Sequence, residues 1–469
     1  MSTSFLLPET PVRSLSEYRA RGGGEALERA RTLGRDATVE QVSASGLRGR
    51  GGAGFPTGRK WASIRAGGAE VGDRYVVANG AEGEPGSFKD RELMVRNAYQ
   101  VVEGLAVAAF AMDAAGAYLA VKESFTLQIE TLSRAMRELS DADLLGEVPI
   151  SLVAGPDEYL FGEETGLLEV VEGEDPLPRL FPPYLYGLFT TSPQFGWSAG
   201  VDARADVPGG EGPDVGSNPT LVNNVETLAN VPLILTRGVE WYRSFGTERS
   251  PGVALATVVG DVVRPGVGEV ELGTPLVEVL EEVGGGLPDD RSVQAVLSGV
   301  ANPVLTGDLI GTPVAYEEMR EAGSGLGALG FIVYDDTADM VAVAHAVSRF
   351  LWIESCGQCP ACKFGTGEVT AYLERILTGK GTEHDVELIG ARLDTVTDAN
   401  RCFLGREEQI VIRSLLRAFP GQFVAYLEGT AGPWEPVPIP KIDDLVAGEV
   451  LLDRRHARKQ PDWTFAEGP

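Results

Sequence analysis

The stretch Glu354-Ser-Cys-Gly-Gln-Cys-Pro-Ala-Cys-Lys363 constrains this chain more than any other, because it places three of the chain's four cysteines inside seven residues. Cys356, Cys359 and Cys362 stand at C-x2-C-x2-C spacing, and Cys402 is the one thiol outside the stretch. Gly357 and Pro360 let such a loop turn tightly, so three thiolates can wrap three corners of a cubane while Cys402 supplies the fourth. The spacing therefore favours a [4Fe-4S] cluster held by these four side chains. Structural zinc is the main alternative, although it usually draws ligands from two separated cysteine pairs; disulfides and unligated thiols also stay open.

At 469 residues the chain has room for about three domains, and 43% hydrophobic residues can supply several cores. Its formal net charge of −28 opposes nucleic-acid binding, since a phosphate backbone would be repelled over most of the surface. Any site for an anionic nucleotide must then be made locally, from backbone N–H groups, helix N-termini or a few basic side chains. The most apolar window, residues 101–121, is interrupted by Glu103 and Asp113, which predicts buried elements and no direct membrane insertion. No cationic segment followed by an apolar run and a cleavage site opens the sequence, and no cysteine is left over for disulfides. The expected location is the cytoplasm, with any membrane attachment made through partner subunits.

Residues 1–13 are expected to be a flexible lead-in, and helical spacing runs from Ser14 to Ser45 around Gly22-Gly23-Gly24. Next comes Gly46-Leu-Arg-Gly-Arg-Gly-Gly-Ala-Gly-Phe-Pro-Thr-Gly-Arg-Lys-Trp61, dense in glycine and carrying three arginines and a lysine. Without Cβ atoms such a loop can approach a planar ring or a diphosphate closely, while its cations offset phosphate charge. It follows helical sequence rather than a strand, so it is not the Rossmann fingerprint, and glycine content alone also fits an ordinary loop.

Residues 73–79 have the character of a buried strand running into the Gly/Pro loop 79–91, the place where α/β sheets set ligand contacts. Helix 92–113, strand 117–122, helix 124–138 and strand 148–154 then alternate as βαβ units. Glu163 and Glu164 open an apolar helix, where the helix dipole alone would favour acids. Residues 176–219 read as a covering loop, and Asn223-Asn224 offer adjacent amides suited either to a heterocycle's edge or to a plain turn. Residues 253–335 read as a small α+β module with one helix at 276–283. Amphipathic helices are expected at 340–355, 368–377, 386–396 and 407–419, with Gly379 as a C-cap. Beyond Pro433 the chain reads as an arm on the surface or on a partner. His345, His384 and His456 fit no catalytic constellation.

Taken together, these stretches resemble the NADH-binding flavoprotein (the F-type component) of respiratory complex I and the related diaphorase subunits of NAD-linked formate dehydrogenases and hydrogenases. The likeness spans residues 15–430. It is carried by Gly49-Arg-Gly-Gly-Ala-Gly-Phe-Pro-Thr-Gly58, Glu84-Pro-Gly-Ser-Phe-Lys-Asp-Arg91, Gly162-Glu-Glu-Thr165, Val222-Asn-Asn-Val-Glu-Thr227 and Glu354-Ser-Cys-Gly. The resemblance implies an α/β fold: a Rossmann-like FMN and NADH domain at 46–250 after a helical lead-in at 1–45, then a soluble-ligand-binding β-grasp module at 251–335. A helical [4Fe-4S] domain at 336–432 and a tail at 433–469 follow. It implies FMN on the loop of Gly49, Arg50, Gly51 and Gly52, with Lys60, Asn79, Glu82, Tyr159, Gly162, Glu163, Val222, Asn223 and Asn224. It implies NADH stacked on the flavin and contacted by Phe55, Glu84 and Glu164, and [4Fe-4S] on Cys356, Cys359, Cys362 and Cys402.

The activity implied is that of an NADH dehydrogenase, which passes a hydride from NADH to FMN and then single electrons through the cluster to a partner protein. A small [2Fe-2S] subunit and a larger iron–sulfur or molybdenum subunit are the expected partners. Several positions depart from the family pattern: Ala81 stands where an Asp is common, Ser63 where a stacking aromatic is common, Phe181 for a lysine, Tyr184 for a phenylalanine and Ala361-Cys-Lys for Pro-Cys-Arg, with an insertion around 189–218. Two other readings stay open, the first of them favoured by these departures. One is a scaffold or electron-transfer subunit with a degenerate nucleotide site; the other is a zinc-stabilised binding module.

Overall fold

Runs such as Tyr75-Val-Val-Ala-Asn79 and Val253-Ala-Leu-Ala-Thr-Val-Val-Gly260 put β-formers where the burial of both faces demands them, and each becomes a central strand of its sheet. The computed structural model describes residues 4–66, 72–190 and 217–467. The chain divides into two compact units, Met1–Glu82 with Asp90–Gly252, and Gly83–Lys89 with Val253–Pro469.

The first unit is built on four parallel strands, β1 (Tyr75–Asn79), β2 (Gly116–Lys122), β3 (Ile150–Gly155) and β4 (Thr220–Asn224), in the order β3-β2-β1-β4. The chain moves outward from β1 to β3 and then returns to the other side of β1, so the order reverses between β1 and β4. That reversal opens a crevice at the carboxyl ends of the strands. Asn79 pairs in register with Asn224 at its edge. Beneath the sheet, the almost wholly buried helix Ala98–Met112 crosses the helix Val225–Arg237 at Gly104, where a Cβ would lie 2.1 Å from the Leu228 carbonyl oxygen.

Two expectations for this unit need correction. The helix read over 92–113 is two helices, Lys89–Arg96 and Ala98–Met112, because Asn97 takes an extended φ of −145° and its side chain donates to the Leu6 carbonyl and to Gln100 Oε1. Nor are residues 4–13 loose: Leu6 and Val12 are buried, and Val12 N donates to the Arg96 carbonyl at 2.8 Å. Their apolar side chains find a core that local sequence does not announce. The region 189–218 lies mostly outside the described residues.

In the second unit, β5 (Val253–Gly260), β6 (Gly266–Glu271), β7 (Val293–Ser298), β8 (Leu305–Thr306) and β9 (Gly330–Asp335) form a mixed sheet in the order β6-β5-β9-β7-β8. The first and last strands, β5 and β9, lie side by side and parallel, and the helix Leu276–Gly284 packs on them through Leu276, Val279 and Leu280 against Val258 and Phe331. This is the β-grasp arrangement.

Five helices follow: Met340–Glu354, Pro360–Leu377, Glu383–Thr395, Leu404–Ala418 and Pro420–Leu427. The second begins eight residues earlier than the 368 read from periodicity, since Pro360 at its first turn lacks an N–H that would go unused anyway. The C-cap is Thr378 rather than Gly379, and Gly379 follows it at φ +69°, the left-handed position that ends many helices. Among the described residues no helix is long and apolar enough to cross a membrane.

Candidate functional site

In the first unit the glycine loop lies over the crevice. A Cβ on Gly51 would sit 3.3 Å from Asn224 Cβ, so the loop rests directly on the end of β4. Gly52 has φ +119° with nothing within 4 Å of its missing Cβ, which leaves one face of the loop open. The loop is fixed from behind: Gly49 N donates to the Phe55 carbonyl at 2.9 Å and Arg50 N to Thr227 Oγ1 at 2.8 Å. The Arg50 side chain is not available to a ligand, being fully buried and donating to the Tyr242 hydroxyl. Helix Thr57–Arg65 follows with no side-chain cap on its first turn, which carries Arg59 and Lys60. Uncapped N–H groups beside cations are suited to a phosphate.

The other expected residues of this unit gather at the same strand ends, several of them already engaged. Lys60 Nζ donates to Glu164 Oε2 at 2.8 Å. Asn79 Nδ2 donates to the Gly162 carbonyl at 2.8 Å, within the turn Tyr159–Gly162. Trp61 Nε1 donates to Asn223 Oδ1 at 2.8 Å, and Asn224 caps its own helix by accepting from Glu226 N at 2.9 Å. Glu82 accepts from Arg91 Nε at 3.0 Å and from Asp90 N at 3.1 Å, so its carboxylate ties the loop 79–91 together. Glu163 accepts from Thr165 N and Gly166 N, both at 2.9 Å, as the N-cap of helix Glu164–Val171. Burial raises the Glu163 carboxyl above its ordinary range, opposed by those hydrogen bonds. Val222 faces the core beside Val77 and Ala81 and can offer a ligand only its backbone.

Phe55 is 48% exposed, with the Arg59 guanidinium 5.8 Å above its ring. Of the departures, Ala81 is buried in the core with Phe161 and Leu167, where an ionised Asp would be unsolvated. Ser63 is exposed and Phe181 packs on Tyr186 at 4.8 Å between ring centres. An open glycine face, a lysine and an uncapped helix end at a sheet reversal fit a flavin mononucleotide. Glu84 belongs to the second unit, where it accepts from Val300 N at 2.7 Å.

The cysteine loop lies in the second unit. Met340–Glu354 ends just before it, and Cys359 is the N-cap residue of Pro360–Leu377, so Cys362 already stands in a helical turn. None of the four cysteines is in a disulfide. Burial pushes the Cys362 thiol up to about 12, with the neighbouring Cys359 and Cys356 adding to the rise against a hydrogen bond from Ser355. Such a thiol ionises only for a strongly cationic partner. Among the described residues no three His, Cys, Asp or Glu side chains converge to hold a metal ion. Three thiols at C-x2-C-x2-C with a fourth cysteine remote in sequence are the donor set of a [4Fe-4S] cluster.

Three features around this loop left no signal in the sequence. Lys363 Nζ donates to the carbonyls of Trp352, Ser355 and Pro461. Glu354 is fully buried between His456 Nε2 at 3.0 Å and Lys459 Nζ at 2.8 Å. Burial alone would raise the Glu354 carboxyl, but the His456 hydrogen bond and the Lys441 and Lys459 charges hold it well below the usual carboxylate range. His456 is thus a buried structural residue, while His384 is exposed beside Glu387 and His345 packs on Trp434.

The third feature is Glu408, fully buried on helix Leu404–Ala418, with Ser348 Oγ donating to its Oε1 at 2.6 Å. Burial raises its carboxyl to about 8, only partly opposed by that bond. Between its unfolded value of 4.5 and about 8 the folded chain keeps a proton that the unfolded chain releases, so stability falls as pH rises through this window. Across the window the wild-type chain is expected to lose on the order of 3 kcal/mol more stability than Glu408→Gln. Denaturant unfolding at a series of pH values reads the difference, and parallel pH profiles would contradict it.

The chain matches the Nuo51 FMN-binding domain over residues 42–233, the SLBB domain over 255–300 and the NADH-ubiquinone oxidoreductase-F iron-sulfur binding region over 342–426. It is 36% identical over 434 residues to the second F-type subunit of NADH-quinone oxidoreductase from Rhizobium meliloti (strain 1021), covering 90% of this chain and 96% of that protein. It is 34% identical over 429 residues to the F-type subunit of NADH-quinone oxidoreductase from Mycobacterium tuberculosis (strain ATCC 25618 / H37Rv), covering 88% and 90%. Among solved structures, an NAD+-reducing [NiFe]-hydrogenase in the H2-reduced state aligns with a TM-score of 0.73 at 32% identity, over 86% of this chain. This chain spans 64% of that longer polypeptide.

Proposed function

We propose that this chain, which belongs to the family of F-type subunits of NADH-quinone oxidoreductase, is an NADH dehydrogenase that takes electrons in pairs from NADH and hands them on singly to a partner protein. The observation that carries this reading is the register of Asn79 against Asn224, which sets two amides at the carboxyl ends of neighbouring strands where the sheet order reverses, with Gly51 resting on Asn224. When bound, FMN supplies a ring that can take a hydride and release electrons one at a time, and a [4Fe-4S] cluster supplies a one-electron carrier.

The chain's own residues position rather than react. Gly49, Gly51 and Gly52 let the loop lie close against a planar group, and Lys60, in the first turn of helix Thr57–Arg65, would offset the charge of its phosphate. Glu163 holds helix Glu164–Val171 in place as its cap. Phe55 offers an exposed aromatic face to a nicotinamide ring, and Glu164 offers a carboxylate to ribose hydroxyls. Cys356, Cys359, Cys362 and Cys402 would hold the cluster. Orientation of this kind accounts for rate without any side chain acting as nucleophile or general acid.

Relatives bearing the name of a subunit support a place in a larger assembly. We extend this to a small [2Fe-2S] protein and a larger iron–sulfur or molybdenum subunit as electron acceptors, with any membrane association made through them. Mixing the purified, flavin-loaded chain with NADH under anaerobic conditions is expected to bleach the flavin absorbance within seconds, and a parallel NADPH arm reads specificity. Flavin left unbleached by NADH would overturn the dehydrogenase and favour a scaffold subunit with a lapsed nucleotide face.

A further inference from the structure

The segment after the last helix folds back on the cysteine loop. Lys441 opens a hairpin of Ile442–Val446 and Glu449–Leu452, closed by Ala447 and Gly448 at φ +52° and +82°. Two positive φ values in succession are the signature of a tight hairpin turn matched to strand twist. The hairpin returns the chain to its start: Asp453 N donates to the Lys441 carbonyl at 2.9 Å, and the two side chains pair at 3.3 Å. Asp453 Oδ1 then accepts from His456 N at 3.1 Å, fixing the turn His456–Arg458.

From that turn the segment reaches the elements flanking the cysteines at three separate points. His456 Nε2 and Lys459 Nζ meet the two oxygens of Glu354, two residues before Cys356. The Pro461 carbonyl accepts from Lys363, the residue after Cys362. Trp463 Nε1 donates to the Ile353 carbonyl at 3.0 Å, and Trp463 itself is held at φ +67°, a conformation that a bulky residue keeps only where its surroundings fix it. Lys459 lies 5.3 Å from the Trp463 ring centre, so two of the three anchors support each other.

We propose that residues 441–463 are a built-in brace for the cluster loop, in which Lys459 and Trp463 are positioning residues that fix Cys356 and Cys362 through Glu354, Ile353 and Lys363. The inference rests on the cluster reading given above. A brace of this kind does two things. It slows the opening of the loop through which ligated iron is lost, and its cations oppose the Glu354 charge beside the site, which favours the more negative, reduced state of whatever the thiols hold.

The test uses the full chain purified without oxygen. Lys459→Met is expected to speed bleaching of the brown colour by a chelator about 10-fold, to lower the midpoint potential and to alter the electron paramagnetic resonance signature. Lys459→Arg restores all three, and FMN content stays at the wild-type value. Trp463→Phe keeps an aromatic ring but loses the indole N–H that bonds Ile353, so it provides a milder variant, expected to bleach faster than wild type with an altered signature, which counts if Lys459→Met does not fold. Wild-type bleaching and an unchanged signature in a folded Lys459→Met chain, or in Trp463→Phe, would overturn the brace alone. A wild-type chain with neither iron nor acid-labile sulfide would remove the cluster reading and the brace together.

Discussion

Replacing Cys402 by alanine is expected to strip iron and acid-labile sulfide from the chain while leaving FMN bound. The triplet Cys356, Cys359 and Cys362 can occupy three corners of a cubane, but the fourth iron then lacks a thiolate, and among the cysteines only Cys402 remains to supply one. Loss should be nearly complete, because a cluster short of one ligand exposes that iron to water and chelators. The flavin should stay because its expected residues, Gly49 to Gly52, Lys60, Asn79 and Asn224, all belong to the first unit, with its own sheet and core, while Cys402 belongs to the second. Iron, sulfide and released FMN measured per chain decide the matter. Iron retained at the wild-type level would show that Cys402 is not a ligand, and joint loss of iron and flavin would show that the two units do not hold their groups independently.

The reciprocal result is expected from Gly52→Val. At φ +119° an L-residue with a branched β-carbon is strained, at a cost of roughly 1–2 kcal/mol or more. No protein atom lies within 4 Å of the position its Cβ would take, so the chain itself has space for the side chain. What the valine fills is the open face of the loop, where a flat ring would lie. FMN content should fall below about a tenth of wild type, with iron and sulfide unchanged, and Gly52→Ala should fall between. Full flavin occupancy in the valine variant would move the ring elsewhere.

The parts of this account that were legible in the sequence are those where chemistry imposes local spacing. Ligation at C-x2-C-x2-C leaves a mark within seven residues, and a strand such as Tyr75–Asn79 running into Gly and Pro marks a carboxyl end without any knowledge of its neighbours. The dual reading of Glu163, as helix acid or as ligand contact, was also legible, and the structure shows it engaged as a cap.

What escaped depends on residues far apart in the chain. Glu354 meets His456 and Lys459 across about a hundred positions, and no periodicity registers that pairing. The amphipathic helix expected at 407–419 opens on Glu407-Glu408, and both residues are buried, Glu408 with a hydrogen bond that Ser348 offers from another helix. The break at Asn97 and the burial of Leu6 are one event seen from two ends, since the Asn97 side chain holds the Leu6 carbonyl. Tertiary partners overrode local propensity in each case.

One polypeptide is expected to turn paired electrons into single ones by holding a flavin and a cluster of iron and sulfide. Electron paramagnetic resonance of the anaerobic chain before and after NADH tests this most directly. The account predicts a silent spectrum before addition and the signal of a reduced [4Fe-4S] cluster afterwards. A flavin that bleaches with no such signal, in protein that contains iron and sulfide, would contradict it.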